Sequence, residues 1–252
     1  MNFCGNLYIV LFSPDDMILL KGGPEERRKF LDIMISQLKS GYVFALNQYM
    51  KALKERNIYL KQIKYDNKPA KMLEIWDESL AEYGIKVYNY RNEFINKIKE
   101  KINKFHMPIT GEEEKISIKY NSNCKEKEKF LEELINNRNT DISKGYTSIG
   151  IHHDDFEVKI NNKPILIYGS QGQRRTAIIS LKLSELEIIY DETGEYPILL
   201  LDDFMSELDN NRIKKFLEEI KNNQVIITCT DKIKLENTEN SFYKVENGKI
   251  AF

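Results

Sequence analysis

Pro197-Ile-Leu-Leu-Leu-Asp-Asp-Phe-Met-Ser-Glu-Leu-Asp209 is the stretch on which the reading of this 252-residue sequence turns. Residues 198–201 are all aliphatic, so they read as a short strand buried on both faces. Two adjacent carboxylates, Asp202 and Asp203, emerge at its carboxyl end, which is where ligands bind in open α/β sheets. An acid in that place can hold a hydrated Mg2+, and its neighbour can orient an attacking water. Taken alone, the pair reads equally well as a strand that ends in solvated acids.

On the C-terminal side, residues 209–221 have a helical pattern and residues 225–228 form another aliphatic run. Strand, helix, strand at this spacing points to a parallel sheet. Far upstream, residues 7–12 are apolar and end at Ser13-Pro14-Asp15-Asp16, a further buried strand leading into a turn or helix start. Ile116, Ile118 and Tyr120 alternate like a strand, and residues 126–135 look helical. Residues 156–160 alternate again, Asn161-Asn162 makes a turn, and residues 164–168 supply the second strand of a hairpin. The segment from Gly172 to about Tyr190 reads as a helix. Residues 242–245 and 250–252 form a closing hairpin about Asn247-Gly248.

Between these regions lies a long helical pattern. Pro24 followed by Glu25 and Glu26 suits a helix opening, since proline needs no N–H there and acids suit the positive end of the dipole. Leu46, Tyr49, Leu53, Leu60 and Ile63 recur at helical steps, with Arg56 interrupting. Leu73, Trp76, Leu80, Tyr83, Val87, Tyr90 and Phe94 then form an unbroken coiled-coil seam. Asp66, Asn67 and Pro69 separate the two, which predicts an antiparallel helical hairpin, an arm that projects from the rest or packs on it. Its basic residues are Lys51, Lys54, Arg56, Lys61 and Lys64, then Lys86, Arg91, Lys97, Lys99, Lys101 and Lys104. They read either as the solvated side of a coiled coil or as a face for phosphates.

Bulk composition narrows the classes. Lys plus Arg is 38 against Asp plus Glu at 39, a net charge of −1, so no global charge draws the chain to nucleic acid or membrane. Its three cysteines, Cys4, Cys124 and Cys229, are far apart and odd in number, poor material for a disulfide framework and suited to a reducing cytoplasm. Cys4 and Cys229 sit beside apolar runs and read as buried thiols. The first residues carry no basic leader, and their apolar run is too short to span a bilayer. His152-His153-Asp154-Asp155 invites a metal reading. Adjacent residues rarely aim at one ion, however, and no further cluster supplies partners at ligand spacing.

A second segment with chemistry is Tyr168-Gly-Ser-Gln-Gly-Gln-Arg-Arg175, a glycine-containing loop that opens a helix. Free N–H groups, a serine hydroxyl and the helix dipole together make an anion site, although a plain turn would use the same residues. Combined, the segments are more specific. Ser170-Gln-Gly-Gln173 opening a helix, a buried strand with paired acids, then Ser206-Glu-Leu-Asp209 resembles the signature loop, Walker B strand and D-loop of ABC-type ATPases. Phe12-Ser-Pro-Asp-Asp16, Lys21-Gly-Gly-Pro24, Arg27-Arg-Lys-Phe-Leu-Asp32, Gln48-Tyr49 and Leu53-Lys-Glu-Arg-Asn57 narrow the resemblance to the RecF family. It runs from about Ile9 to the C-terminus.

The resemblance implies an α/β fold, an incomplete ABC-type ATPase lobe with a mixed sheet and flanking helices, plus an α-helical hairpin or coiled-coil arm. Residues 1–22 would be a strand and turn of that lobe, 23–107 the arm, and 108–252 the C-terminal part with signature, Walker B and D-loop. Asp202 matches the Mg2+-supporting acid and Asp203 the acid that polarises the attacking water. Ser170, Gln171, Gly172 and Gln173 match the loop that reaches the γ-phosphate held by another subunit. Ser206 and Asp209 match the D-loop. Lys51, Lys54, Arg56 and Lys61 would contact DNA. The implied cofactors are ATP and Mg2+. The implied partners are gapped duplex or a single-strand junction, a second subunit closing on ATP, and RecR- and RecO-type proteins.

The sequence departs from the family in four places. No Gly-x-x-x-x-Gly-Lys-Ser/Thr occurs in it, and the only Gly-Lys, Gly248-Lys249, precedes Ile250. In the family that loop lies before the segment matched here. Gly150-Ile-His-His-Asp-Asp155 replaces the usual Gly-Pro-His-Arg-Asp-Asp, Arg174 stands where a glutamine is usual, and residues 225–228 lead to Cys-Thr-Asp231 instead of a switch histidine. The expectation is a DNA repair and recombination mediator that clamps DNA with ATP, here truncated and holding no ATP by itself. The alternatives are a split half of an ATPase that needs a P-loop partner, or a non-enzymatic module acting on DNA or protein. A lobe lacking strands would also show an apolar face prone to association.

Overall fold

The computed structural model describes residues 7–203, 209–230, 241–246 and 248–251. In chain order the elements are β1 (Ile9–Phe12), α1 (Ile18–Lys21), α2 (Pro24–Leu38), α3 (Ser40–Asp66), α4 (Leu73–Thr110), β2 (Ile116–Asn121), α5 (Lys127–Asn136) and α6 (Arg138–Lys144). Then follow β3 (Asp155–Ile160), β4 (Lys163–Pro164), α7 (Ile165–Tyr168), α8 (Gln171–Thr193), β5 (Ile198–Asp202), α9 (Asn210–Glu219), β6 (Val225–Thr228), β7 (Lys244–Glu246) and β8 (Lys249–Ala251).

The aliphatic runs pair as a parallel sheet in the order β1-β5-β6, with Leu11 opposite Leu200 and Leu200 opposite Ile226. Side chains alternate between faces. Val10, Phe12, Leu199 and Leu201 enter a core with Ile179, Leu183, Leu186 and Ile189 of α8 and Phe216 of α9. The other face is a correction to the expected strand buried on both sides. There Ile9 is 36%, Leu11 47% and Ile226 54% exposed, and Ile198 and Leu200 are only half-buried. Parallel sheets ordinarily have both faces covered.

A separate antiparallel sheet joins β2, β3 and β4. Its hairpin turns at Asn161 and Asn162, both in the left-handed region with φ of 48° and 63°, as a tight two-residue turn requires. The predicted second strand is cut short. After Pro164 the chain coils into α7, and only Lys163 and Pro164 pair with β3.

The helical hairpin forms as the periodicity indicates, α3 against α4 with the turn between Asp66 and Leu73. Its seam residues Tyr49, Leu53, Leu60, Leu80, Val87 and Phe94 are buried. The hairpin packs along its length on the rest of the chain. One hydrophobic core runs from α2 and α3 through α4 to β2, β3, α5 and α8. Lys97, Lys101 and Lys104 belong to that packing. Lys97 pairs with Glu192, Lys101 with Asp191 at 2.5 Å and Lys104 with Glu187 at 3.0 Å, all on α8.

Arg56, which breaks the apolar seam of α3 in the sequence, sits in the seam itself and is fully buried. Its Nε donates to Asp77 of α4 at 2.7 Å, and its Nη1 donates to Asp141 of α6 at 2.7 Å and to Thr147 Oγ1 at 2.8 Å. The expected DNA contact at Arg56 is therefore corrected. The helical phase that makes it a seam residue also removes it from any surface. Cys229 is likewise corrected, being exposed, while Cys124 is the buried thiol and burial pushes its pKa up. Cys4 lies outside the described residues.

Replacing Arg56 with alanine leaves Asp77 and Asp141 as buried carboxylates without their shared cation. The expected loss is about 3–5 kcal/mol of unfolding free energy, against less than about 0.5 kcal/mol for the exposed Lys51→Ala, both read from urea denaturation of the full chain.

Candidate functional site

The carboxyl end of β5 carries the paired acids. Asp202 is exposed and lies in register with Thr228 of β6, whose hydroxyl donates to Asp202 Oδ1 at 2.6 Å. By strand alternation Asp202 and Thr228 project from the same face as Leu200 and Ile226, the sparsely covered one. Asp203 turns the chain out of the strand with φ of 47°, a left-handed conformation that aspartate tolerates better than most residues. Its N–H donates to the Thr228 carbonyl and hydroxyl, each at 3.2 Å. Thr228 thus orients the Asp202 carboxylate and fixes the backbone of Asp203. Sequence reasoning placed it in the strand but saw no role for it, because that role depends on strand register.

The glycine-containing loop opens α8 as a capping box. Ser170 Oγ accepts the Gln173 N–H at 3.2 Å, and Gln173 Oε1 accepts the Ser170 N–H at 2.8 Å. Ser170 and Gln171 are exposed, and Gly172 lies against the guanidinium of Arg212, which leaves room for only a methyl-sized group, 3.4 Å from Nη2. Arg212 Nη1 in turn pairs with Asp209 Oδ2 at 3.0 Å, and Asp209 Oδ1 caps α9 by accepting the Arg212 N–H at 3.0 Å. The structure therefore joins the Ser170–Gln173 loop to Asp209 through one arginine that the sequence reading passed over. Ser206 lies outside the described residues.

Behind the loop, Gln173 Nε2 donates to Glu114 Oε1 at 2.8 Å, and Glu114 Oε2 faces His106 Nε2 at 3.5 Å. Ser180 Oγ gives its proton to the Thr176 carbonyl at 2.8 Å, so His106 Nδ1 is the donor in its 3.1 Å contact with Ser180. Burial lowers the His106 pKa, and the Glu114 charge opposes that shift.

Gly150-Ile-His-His-Asp-Asp155 does a different job. The φ of 130° at Gly150 excludes other residues, and a Cβ there would stand 2.2 Å from Tyr49 Oη. His152 Nε2–H donates to the Thr147 carbonyl at 3.1 Å, so its Nδ1 accepts from Tyr49 Oη at 2.8 Å. Asp154 accepts from Tyr120 at 2.6 Å and faces Arg91, and Asp155 takes a two-pronged contact from Arg27 at 2.6 and 3.1 Å. Among the described residues no cluster of three or more His, Cys, Asp or Glu could hold a metal ion. Lys51, Lys54 and Lys61 are exposed on α3, remote in sequence from both loops.

This architecture, a parallel sheet delivering paired acids beside a serine-capped helix and joined to a helical arm, is that of an ABC-type ATPase lobe. No protein-family model matches the chain. Curated relatives do. It is 44% identical to the DNA replication and repair protein RecF of Acetivibrio thermocellus, covering 100% of this chain and 71% of that protein. It is 46% identical to RecF of Clostridium tetani, over 97% of this chain and 69% of that protein. Two solved structures of the recombination mediator protein RecF in the RecFOR pathway, RecF-ATPrS and RecF-ATP, superpose with a TM-score of 0.88 each. Their identities are 41% and 39%, and the matches cover 98% and 99% of this chain and 68% of each of those chains. The chain belongs to the RecF family.

The His152 geometry has a pH signature. Burial depresses its pKa to about 4 from 6.5, so the neutral ring stabilises the fold fully above pH 6.5 and that contribution is lost as pH falls toward 4. Between those limits the wild type should lose up to about 3 kcal/mol relative to its stability at neutral pH, and a His152→Gln variant should lose correspondingly less, in urea titrations across that range.

Proposed function

We propose that this chain supplies the Walker B, signature and D-loop walls of a RecF-type ATPase that clamps DNA during repair, and that its nucleotide pocket is composite. Asp202 would support Mg2+ and Asp203 would polarise the attacking water. The Ser170–Gln173 loop, exposed at Ser170 and Gln171, would cap a γ-phosphate held elsewhere. The phosphate-gripping loop comes from outside these 252 residues, since no Gly-x-x-x-x-Gly-Lys-Ser/Thr occurs in them. The observation that carries this reading is the Asp202–Thr228 pair at the edge of a parallel sheet whose aliphatic face, Ile9, Leu11, Ile198, Leu200 and Ile226, is sparsely covered. A polypeptide covering that face would bring its own loop to the acids.

In this proposal DNA lies on the helical arm, where Lys51, Lys54 and Lys61 meet phosphates. Duplex beside a single-strand gap is the substrate, the compartment is the cytoplasm, two subunits close on ATP, and RecR- and RecO-type proteins are the partners. The RecFOR pathway of the structural neighbours supports that last assignment. A second reading, a DNA-binding module that works without nucleotide, is favoured by the fully packed helical arm, which owes nothing to the nucleotide loops for its core.

Titration of labelled ATP with Mg2+ into this chain alone should give no binding at micromolar concentrations, and such binding would overturn the composite reading. Adding the separately expressed P-loop-bearing segment of a RecF relative should create ATPase activity that an Asp203→Asn substitution in this chain abolishes. DNA binding that is unchanged by the added segment and by ATP would favour the module.

A further inference from the structure

The outer edge of α3 is a ridge without acids. Asn47, Lys51, Lys54, Ile58, Lys61 and Tyr65 succeed one another at helical steps, and each is exposed. The ridge rises about 27 Å along the helix. Where it nears the hairpin turn it meets α6. The stem of Lys61 lies against Gly145, where an added Cβ would sit 3.4 Å from Lys61 Cγ, and Lys64 Nζ donates to the Ser143 carbonyl at 2.7 Å. These contacts place Lys144 and Tyr146, remote in sequence, beside Lys61 and Lys64.

Two features set this cluster apart from an ordinary solvated helix face. First, its phenol rings are held in the open. Tyr65 is 71% and Tyr146 48% exposed, with the Lys64 ammonium 5.3 Å from the first ring centroid and the Lys144 ammonium 5.9 Å from the second. Second, the carboxylates closest to the cluster are engaged, although Glu74 and Glu78 of α4 are exposed beyond it. Asp77 and Asp141 are fully buried on Arg56, and Glu55 turns toward α4 to accept the Trp76 indole N–H at 3.2 Å. Asp66, at the helix end, is the remaining exposed acid next to Tyr65.

We propose that Lys61, Lys64, Lys144, Tyr65 and Tyr146 form a contact site for unpaired nucleic acid, the ammonium groups meeting backbone phosphates and the two rings stacking on bases. The inference rests on the DNA-binding reading above and refines it. Duplex buries the faces of its bases in the helical stack, so exposed rings gain from a single strand what they cannot gain from a duplex. The cluster offers lysine and tyrosine, with no arginine, asparagine or glutamine placed to read base edges, so binding is independent of sequence.

The test is fluorescence anisotropy of the full chain with labelled oligo(dT), oligo(rU) and a DNA duplex of equal length, over a range of salt. Tyr65→Ala with Tyr146→Ala should weaken single-strand binding by about tenfold or more and leave duplex binding unchanged. Lys61→Gln and Lys144→Gln should each weaken binding to strand and duplex alike and lower the single-strand salt slope by roughly 0.7. Lys99→Gln, on α4, should change nothing. All five substitutions are at exposed positions, and thermal melts should match wild type.

Equal effects with dT and rU assign the site to single strands generally, and loss confined to one of them names that one as its ligand. If the wild type binds neither strand nor duplex, the DNA reading fails and this inference with it. If the wild type binds but the tyrosine variant is indistinguishable from it, the inference alone is overturned. Displacement of oligo(dT) by polyglutamate of equal charge would also overturn it, in favour of an acidic protein partner.

Discussion

A guanidinium cannot lose its proton inside a protein, so every buried arginine obliges the fold to deliver carboxylates to it. This chain buries three, and they organise its helical half. Arg56 collects Asp77 from α4 and Asp141 from α6. Arg91 reaches Asp32 on α2 at 2.8 Å, the Ile151 carbonyl at 2.8 Å and Asp154, which also receives Tyr120 of β2. Arg27 joins α2 to Asp155 and to the carbonyls of Leu19 and Gly22. No apolar contact would select these particular partners. Each cation has one arrangement in which its charge is met, and that arrangement fixes how α2, the hairpin, α6 and the antiparallel sheet sit on one another.

A second set of polar contacts ties the arm to the loop that opens α8. α4 runs unbroken from the hairpin turn to Thr110, passing Arg91 and then the lysines that grip α8 on the way. His106, near its end, contacts Ser180 inside α8, and Glu114 just beyond it holds Gln173 in the capping box. One helix and two polar contacts therefore run from the arm to the loop that presents Ser170.

Much of this was legible in the sequence because it follows from period alone. The aliphatic runs of β5 and β6, the seam of α4, the Asn161-Asn162 turn and the serine-led opening of α8 all declare themselves in one dimension. The features that were not legible depend on which elements meet. The helical period puts Arg56 in the apolar seam and Lys61 outside it, but only the partner helices supply the Asp77 and Asp141 that let a guanidinium be buried there. Lys97, Lys101 and Lys104 look like a solvated face until α8 supplies Glu187, Asp191 and Glu192. Thr228 gains its role from strand register and Arg212 from the approach of α9 to Gly172, and neither leaves a local signal. Residues 165–168 alternate poorly for a strand, and Pro164, which lacks an N–H for the ladder, ends the pairing there.

What the candidate site lacks is consistent with what it already has. Two hydrogen bonds from the Asp203 N–H to Thr228 fix its backbone, and the Thr228 hydroxyl holds the Asp202 carboxylate, so Asp202 is oriented before any ligand arrives. Orientation in advance is what metal binding and water activation demand, because the entropy of arranging the groups is already spent. Phosphate grip is a different requirement. It calls for a wreath of backbone N–H groups and a lysine converging on one point, and paired carboxylates repel the charge that such a wreath attracts. In the composite pocket proposed above, the two functions would approach a triphosphate from different sides. The Asp202 and Thr228 side chains point to the face that exposes Ile9, Leu11 and Ile226, which is the side from which the proposed second wall would come.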